Sequence, residues 1–246
     1  MAEPIRIAMW SGPRNISTAM MRAWENREDC CVVDEPFYAC YLAATGILHP
    51  MRDEVLSSQP QDWGAVVDQL TAPLPEGTRV QYQKHMAHHM VTPLDPAWLR
   101  TARHAFLIRD PFEMVASYAR KRGAPTVDDL GLAKELEIYE RIREETAREP
   151  PVIEASDVLR HPEVALRRLC AALEVPFSER MLSWPAGLRD SDGVWAAHWY
   201  NAVAESTSFS PYTAVPMELP EHLAAVAEAC VPHYEYLRAR KLEVNG

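Results

Sequence analysis

Apolar residues cluster in short runs that stop at turn-forming residues, and helical patterns lie between them. Ile5 to Trp10 is apolar except for Arg6 and halts at Ser11-Gly12-Pro13. A strand buried on both faces reads this way, and Gly-Pro cannot continue one. A helix is expected from about Ser17 to Asn26, rich in Ala and Met, both good helix formers. Further strands are expected at Cys30–Val33, Arg79–Gln83, His104–Ile108 and Val152–Ile153, with helices packed between Leu48 and Pro75. Asp110-Pro111 predicts an N-cap followed by a helix to about Lys121. Leu132, Leu136, Ile138 and Ile142 recur at helical spacing within charged Asp128–Glu149, an amphipathic helix. Another helix is predicted over His161–Leu173, an ordered Trp- and Pro-rich loop over Met181–Pro220, and a last helix over Pro220–Ala229 continuing toward Arg240. Strands alternating with helices imply an α/β fold whose mostly parallel sheet is covered on both faces. No repeat or linker divides residues 1–246, which predicts one domain.

Composition narrows the function classes. The 246 residues are 48% hydrophobic and carry a net charge of −10, so the chain can bury a core but lacks the basic surface of a general nucleic-acid binder. An acidic protein that binds polyanions must concentrate its arginines locally. Five cysteines (Cys30, Cys31, Cys40, Cys170, Cys230) show no CxxC spacing, which disfavours a disulfide framework and fits a reducing cytoplasm. Cys30 and Cys31 fall on an expected buried strand and read as core. MAEPIRIAMWSGP has no leader pattern, and no run reaches the ~20 apolar residues that span a bilayer; no membrane or nucleic-acid partner is expected. No pattern sets an oligomeric state.

The strongest chemical signal is Ser11-Gly12-Pro13-Arg14-Asn15-Ile16-Ser17-Thr18, between the first strand and the first helix. A helix N-terminus presents unpaired N–H groups and partial positive charge to an anion. Ser17 and Thr18 add hydroxyls, and Arg14 adds a fork matched to phosphate or sulfate oxygens. Ser17 and Thr18 stand where a GxxxxGK[ST] loop has glycine and lysine, so the loop departs from that nucleotide-binding pattern. A plain strand-to-helix turn capped by Ser17 is the alternative. A second signal follows the fourth strand: Arg109-Asp110-Pro111, with Ser117 eight positions beyond Arg109 and Arg120, Lys121 and Arg122 close behind. Strand carboxyl ends are where open α/β sheets bind ligands. The alternative is a structural ion pair at Arg109 and a solvated basic helix end.

Together, PRNIST and RDPFEMVASY resemble the sulfotransferases that use 3′-phosphoadenosine 5′-phosphosulfate (PAPS), with a departure at Ile16, where that family usually has glycine. SGPRNISTAMM, VVDEPFYACYL, KHMAHHM and SWPAGLRDSDGVWAAHWY are similar to a bacterial sulfotransferase-like subfamily, also found fused to aminotransferase-like domains. The resemblance implies a three-layer P-loop-type α/β fold with helical additions. It also implies a PAPS co-substrate and sulfuryl transfer to a hydroxyl or amine of a small acceptor. Arg14, Asn15, Ser17 and Thr18 would hold the 5′ end of the donor, Arg109 and Ser117 its 3′-phosphate, with no metal required.

Sulfuryl transfer needs a cation on the transferring group and a base at the acceptor. Arg14 is the candidate cation. Glu35, in a DEPFY run similar to the catalytic glutamate of carbohydrate-type sulfotransferases, is the candidate base; alternatively it pairs with Arg14 to order the loop. Lys84 matches the lysine of a Lys-x-His pair in cytosolic sulfotransferases, but Met86 occupies the histidine's place, which leaves His85 or His88 as a substitute base. His85, His88 and His89 would share one helical side, yet no adjacent carboxylate or cysteine completes a zinc set. Trp195, His198, Trp199, Tyr200 and Phe209 read as a purine- or acceptor-stacking loop, or as core. An ATP-dependent kinase on the same fold and a non-catalytic binding module remain the alternative functions.

Overall fold

The computed structural model describes residues 4–214 and 218–244. Residues 1–3 of the N-terminal run and 215–217 of the expected Met181–Pro220 loop lie outside the described residues. Strands β1 (Ile5–Ser11), β2 (Cys30–Asp34), β3 (Val80–Met86), β4 (Arg103–Ile108) and β5 (Val152–Glu154) form one sheet in the order β2-β3-β1-β4-β5. Every adjacent pair runs parallel. The connections leave β1 toward β3 on one side and β4 on the other, the crossover geometry that opens a crevice at the strands' carboxyl ends.

The continuous apolar run of β1 follows from its place at the sheet centre. Ile7 and Met9 join Met20, Met21 and Trp24 of helix α1 (Ser17–Glu25) and Leu166 and Leu169 of the helix Pro162–Ala172 on one face. Ala8 and Trp10 alternate to the other face, against Val115 (helix Pro111–Arg122), Ile138 (helix Leu132–Thr146) and Cys230 (helix Glu221–Arg238). Each face thus has its own apolar layer, and the sheet lies between two layers of helices.

Several elements differ from the sequence pattern. β3 continues past Gln83 to Met86, because Lys84 and His85 are buried and partnered rather than solvated. The amphipathic stretch is broken at Gly131 (φ 69°), which ends Val127–Leu130 and starts Leu132–Thr146; a Cβ there would lie 3.1 Å from the His88 Cβ. Cys30 and Cys31 are only half-buried, since β2 is an edge strand. Helix α2 (Tyr38–Thr45), the helix Ala155–Arg160 and the short helices Ala196–Trp199 and Asn201–Ala204 carry no clear sequence pattern.

Gly12 fixes the depth of the β1–α1 turn. A Cβ there would strike the Leu130 carbonyl oxygen and, at 2.7 Å, the Met114 methyl. Gly12→Ala is expected to lower stability by about 1–3 kcal/mol through overpacking, read as a lower urea midpoint; an unchanged midpoint contradicts this packing.

Candidate active site

The β1–α1 turn is strained and open. Arg14 (φ 59°) and Ile16 (φ 32°) both occupy the left-handed region, where a non-glycine residue costs of order 1–3 kcal/mol. Ile16 stands at the N-cap of α1 with no side-chain acceptor, and the first turn contains no acidic residue. The orphan N–H groups there have no internal cap, unlike the helices beginning after Asp62, Asp95, Asp110 and Thr126, each capped by its own side chain. Asn15 is buried and its amide donates to the Leu107 carbonyl of β4, so this side chain anchors the turn to the sheet.

The two arginine loops meet directly. Arg109 Nη1 donates to the Arg14 carbonyl oxygen at 2.6 Å, and Arg14 Nε donates to Ser117 Oγ at 3.1 Å. Arg109 Nε also pairs with Glu113 at 3.0 Å, and Glu113 accepts from Tyr212 at 2.6 Å. Among the described residues no carboxylate comes within 4.0 Å of the Arg14 guanidinium. Burial lowers its pKa, and the charges of Arg109 and Arg120 lower it further. A half-buried cation surrounded by cations is complementary to a polyanion.

Beside these loops lies a buried charge cluster. Lys84 Nζ donates to Asp34 Oδ1 (2.9 Å), Glu35 Oε1 (2.5 Å) and Tyr200 OH (2.7 Å). Asp34 also accepts from Tyr200 and from the Gly193 amide at 3.1 Å, while Trp195 Nε1 donates to Tyr200 OH at 3.1 Å. Burial opposes the ammonium, but Asp34 and Glu35 outweigh it and hold Lys84 well above its ordinary pKa. Burial raises the Glu35 carboxyl, against the pull of Lys84. All three ammonium donors are committed, so Lys84 orients Glu35 and has no donor left for a transferring group. Glu35 pairs with Lys84, not with Arg14.

One cavity of about 350 Å³ unites Arg14, Asn15, Ser17, Thr18, Glu35, Lys84, Arg109 and Ser117. His85 does not line it. On β3 its side chain points to the opposite face from Lys84, stacks on Trp10 at 4.5 Å and contacts Gln83 Oε1 at 3.1 Å. Burial, and then His104, pushes its pKa down to about 3. His85 is therefore a core residue, contrary to its candidacy as base. His88 and His89 do border the cavity, with His89 stacked between Tyr38 (4.6 Å) and Tyr41 (4.9 Å). Burial pushes His88 down to about 3 and His89 well below its ordinary value. Among the described residues no three His, Cys, Asp or Glu side chains group as metal ligands.

The aromatic tail, expected either to line a ligand pocket or to serve as core, divides between the two. Trp195, Trp199 and Tyr200 line the cavity, while Phe209 packs on Trp184 in the core. The tail is docked by a bidentate pair between buried Arg22 of α1 and Asp192, both contacts at 2.6 Å. Asp34, Tyr38 and His49 escaped sequence reasoning, as did the bonds that Tyr200 makes to Asp34 and Lys84. The long-range partners of Asp34, at positions 193 and 200, leave no local signature.

Residues 5–241 match the sulfotransferase domain family, and the chain belongs to it. Among solved structures, the sulfotransferase from Alicyclobacillus acidocaldarius aligns with TM-score 0.57 at 15% identity, covering 98% of each chain. The sulfotransferase domain of the curacin biosynthetic pathway aligns with TM-score 0.50 at 16% identity, over 94% of this chain and 99% of that one. Both share its fold. Two curated Arabidopsis thaliana relatives, branched-chain-amino-acid aminotransferase-like proteins 1 and 2, are 38% and 34% identical over 97% and 94% of this chain. The chain spans only 42% and 41% of their lengths.

Removing the cluster's cation leaves two buried carboxylates facing each other. Lys84→Met is expected to cost about 3–5 kcal/mol at neutral pH. Without the ammonium, burial raises the folded-state pKa of Glu35 further above its unfolded value, so the variant recovers stability as pH falls through it. Urea unfolding at pH 7 and pH 5 checks both; a loss that is small, or equal at the two pH values, contradicts the cluster.

Proposed function

We propose that this chain moves a sulfuryl group from PAPS to the hydroxyl or amine of a small acceptor. The observation that carries the reading is Arg14, a guanidinium with no carboxylate partner among the described residues. It touches Ser117 at 3.1 Å and is held through its carbonyl by Arg109 at 2.6 Å. The uncapped start of α1, with Ser17 and Thr18 on the same cavity wall, offers N–H and hydroxyl donors to a 5′-phosphosulfate. Arg109 and Ser117, on the same cavity as Arg14, would grip the 3′-phosphate of the same nucleotide. The family match over residues 5–241 supports the reaction class.

The acceptor oxygen or nitrogen forms a bond to sulfur while the S–O bond to the 5′-phosphate breaks, releasing adenosine 3′,5′-bisphosphate. Arg14 neutralises charge on the transferring group and the bridging oxygen. Glu35 takes the acceptor's proton, with Lys84 and the Asp34–Tyr200 pair fixing its carboxylate. Asn15 holds the turn to β4 from behind. Trp195, Trp199 and Tyr200 close the tail over the acceptor end.

Base catalysis by Glu35 needs the carboxylate, and its pKa is raised by burial. Activity is therefore expected to climb with pH along an acid limb centred above the ordinary glutamate value of about 4.3. Glu35→Gln is expected to reduce kcat/KM by about 10²–10⁴-fold and to abolish that limb. The assay is transfer of labelled sulfur from PAPS to a panel of hydroxylated and amino acceptors; unchanged turnover in Glu35→Gln contradicts the assignment.

A further inference from the structure

Four cations line the cavity: Arg14, Lys84, Arg109 and Arg122. Lys84 and Arg109 have carboxylates of their own. Arg14 is matched to the donor. Arg122 remains, and among the described residues no carboxylate lies within 4.0 Å of it. Its guanidinium packs over the rings of Trp199 at 5.2 Å and Tyr118 at 5.6 Å, which fixes the plane; one donor meets the Tyr118 hydroxyl, and the fork has others for recognition.

Arg122 packs on Trp199 within the cavity that Tyr38, His49 and His88 also line. The charges acting on Arg14 are Arg109 and Arg120. The charge of Arg122 instead reaches Tyr38, Tyr41, His49 and His88, which follow β2 and β3. Burial and then Arg122 push His49 down to about 4, so neither His49 nor His88 (held to about 3) adds positive charge at neutral pH. Tyr38 OH is joined to His49 Nδ1 at 2.7 Å. Asp129 also acts on this wall; its Oδ2 accepts from the Thr126 amide and hydroxyl, both at 2.8 Å, and it makes no ion pair with Arg122 within 4.0 Å. The β2–β3 end of the cavity, where Glu35 stands, therefore holds a guanidinium that, among the described residues, has no carboxylate in direct contact and lies beside neutral rings.

Resting on the sulfotransferase reading, we infer that the acceptor carries a carboxylate besides its reacting group, bound by Arg122 against Trp199 while the reacting group meets Glu35. The planar fork of Arg122 suits bidentate carboxylate recognition. The aromatic wall of Tyr38, Trp195 and Trp199 suits a compact apolar body between the two ends.

The test uses the full chain loaded with adenosine 3′,5′-bisphosphate, which needs no turnover. Calorimetric titration compares a set of hydroxy and amino acids, each paired with its methyl ester, on the unaltered protein and on Arg122→Gln. At least one acid is expected to bind ten-fold or more tighter than its ester, and Arg122→Gln is expected to erase that preference. Bisphosphate affinity should stay the same in the variant. If no acid outperforms its ester, or the preference survives Arg122→Gln, the inference is overturned. It is equally overturned if the variant loses bisphosphate affinity, which would make Arg122 a donor residue. Failure of the unaltered protein to bind the bisphosphate refutes the sulfotransferase reading instead, and the same acid–ester titration on unloaded protein then still decides whether Arg122 binds carboxylates.

Discussion

The hydrogen bond from Arg109 to the Arg14 carbonyl, 2.6 Å long, is the constraint on which the site depends. It ties the turn after β1 to the turn after β4, the two strands that lie side by side at the sheet centre. A parallel sheet brings these ends together because every strand finishes on the same edge. Arg109 can point there because Glu113, one helical turn on, neutralises part of its charge. Arg14 has no such partner, and its left-handed backbone is sustained by the anchoring of Asn15 to β4. Strain and unpaired charge thus sit together, the pattern expected where a ligand completes the structure.

The second organising element is the cluster around Lys84. An ammonium between two carboxylates and a tyrosine hydroxyl is a poor source of net stability when fully buried. It does fix geometry: it joins β2, β3 and the tail through Asp34, Glu35, Tyr200 and Gly193. Glu35 is left with one oxygen bound to Lys84 and the other 4.0 Å from His89 Nε2. A carboxyl raised by burial yet held in place by a cation is a stronger and better positioned proton acceptor than a solvated glutamate. The neutral histidines nearby add no competing charge.

Much of the fold was legible because buried parallel strands are continuous apolar runs and their ends fall at Gly, Pro and Asp. β1 and β4 follow their patterns within a residue. β3 did not, since Lys84 and His85 look like a strand end until their partners at positions 34, 35, 200 and 10 are known. The arginine–serine spacing after β4 was readable because both groups belong to one strand–helix unit. The fate of His85 was not, because strand alternation decides it and the strand's length was misjudged by three residues. Asp34, Tyr200 and the docking of the tail by Arg22 and Asp192 depend on contacts across more than 150 positions, which a local pattern cannot carry. Gly131 interrupts an otherwise regular helical period because its neighbour in space is His88.

The claim that one doubly phosphorylated adenosine bridges both arginine loops is tested most directly by thermal shift. Adenosine 3′,5′-bisphosphate, 5′-AMP and ADP with magnesium are compared on the unaltered chain and on Ser117→Ala. The bisphosphate is predicted to stabilise most, by ~2.7 kcal/mol at 100 times its Kd, and Ser117→Ala to bring it toward 5′-AMP. A larger response to ADP with magnesium, or no response to any of the three, would contradict it.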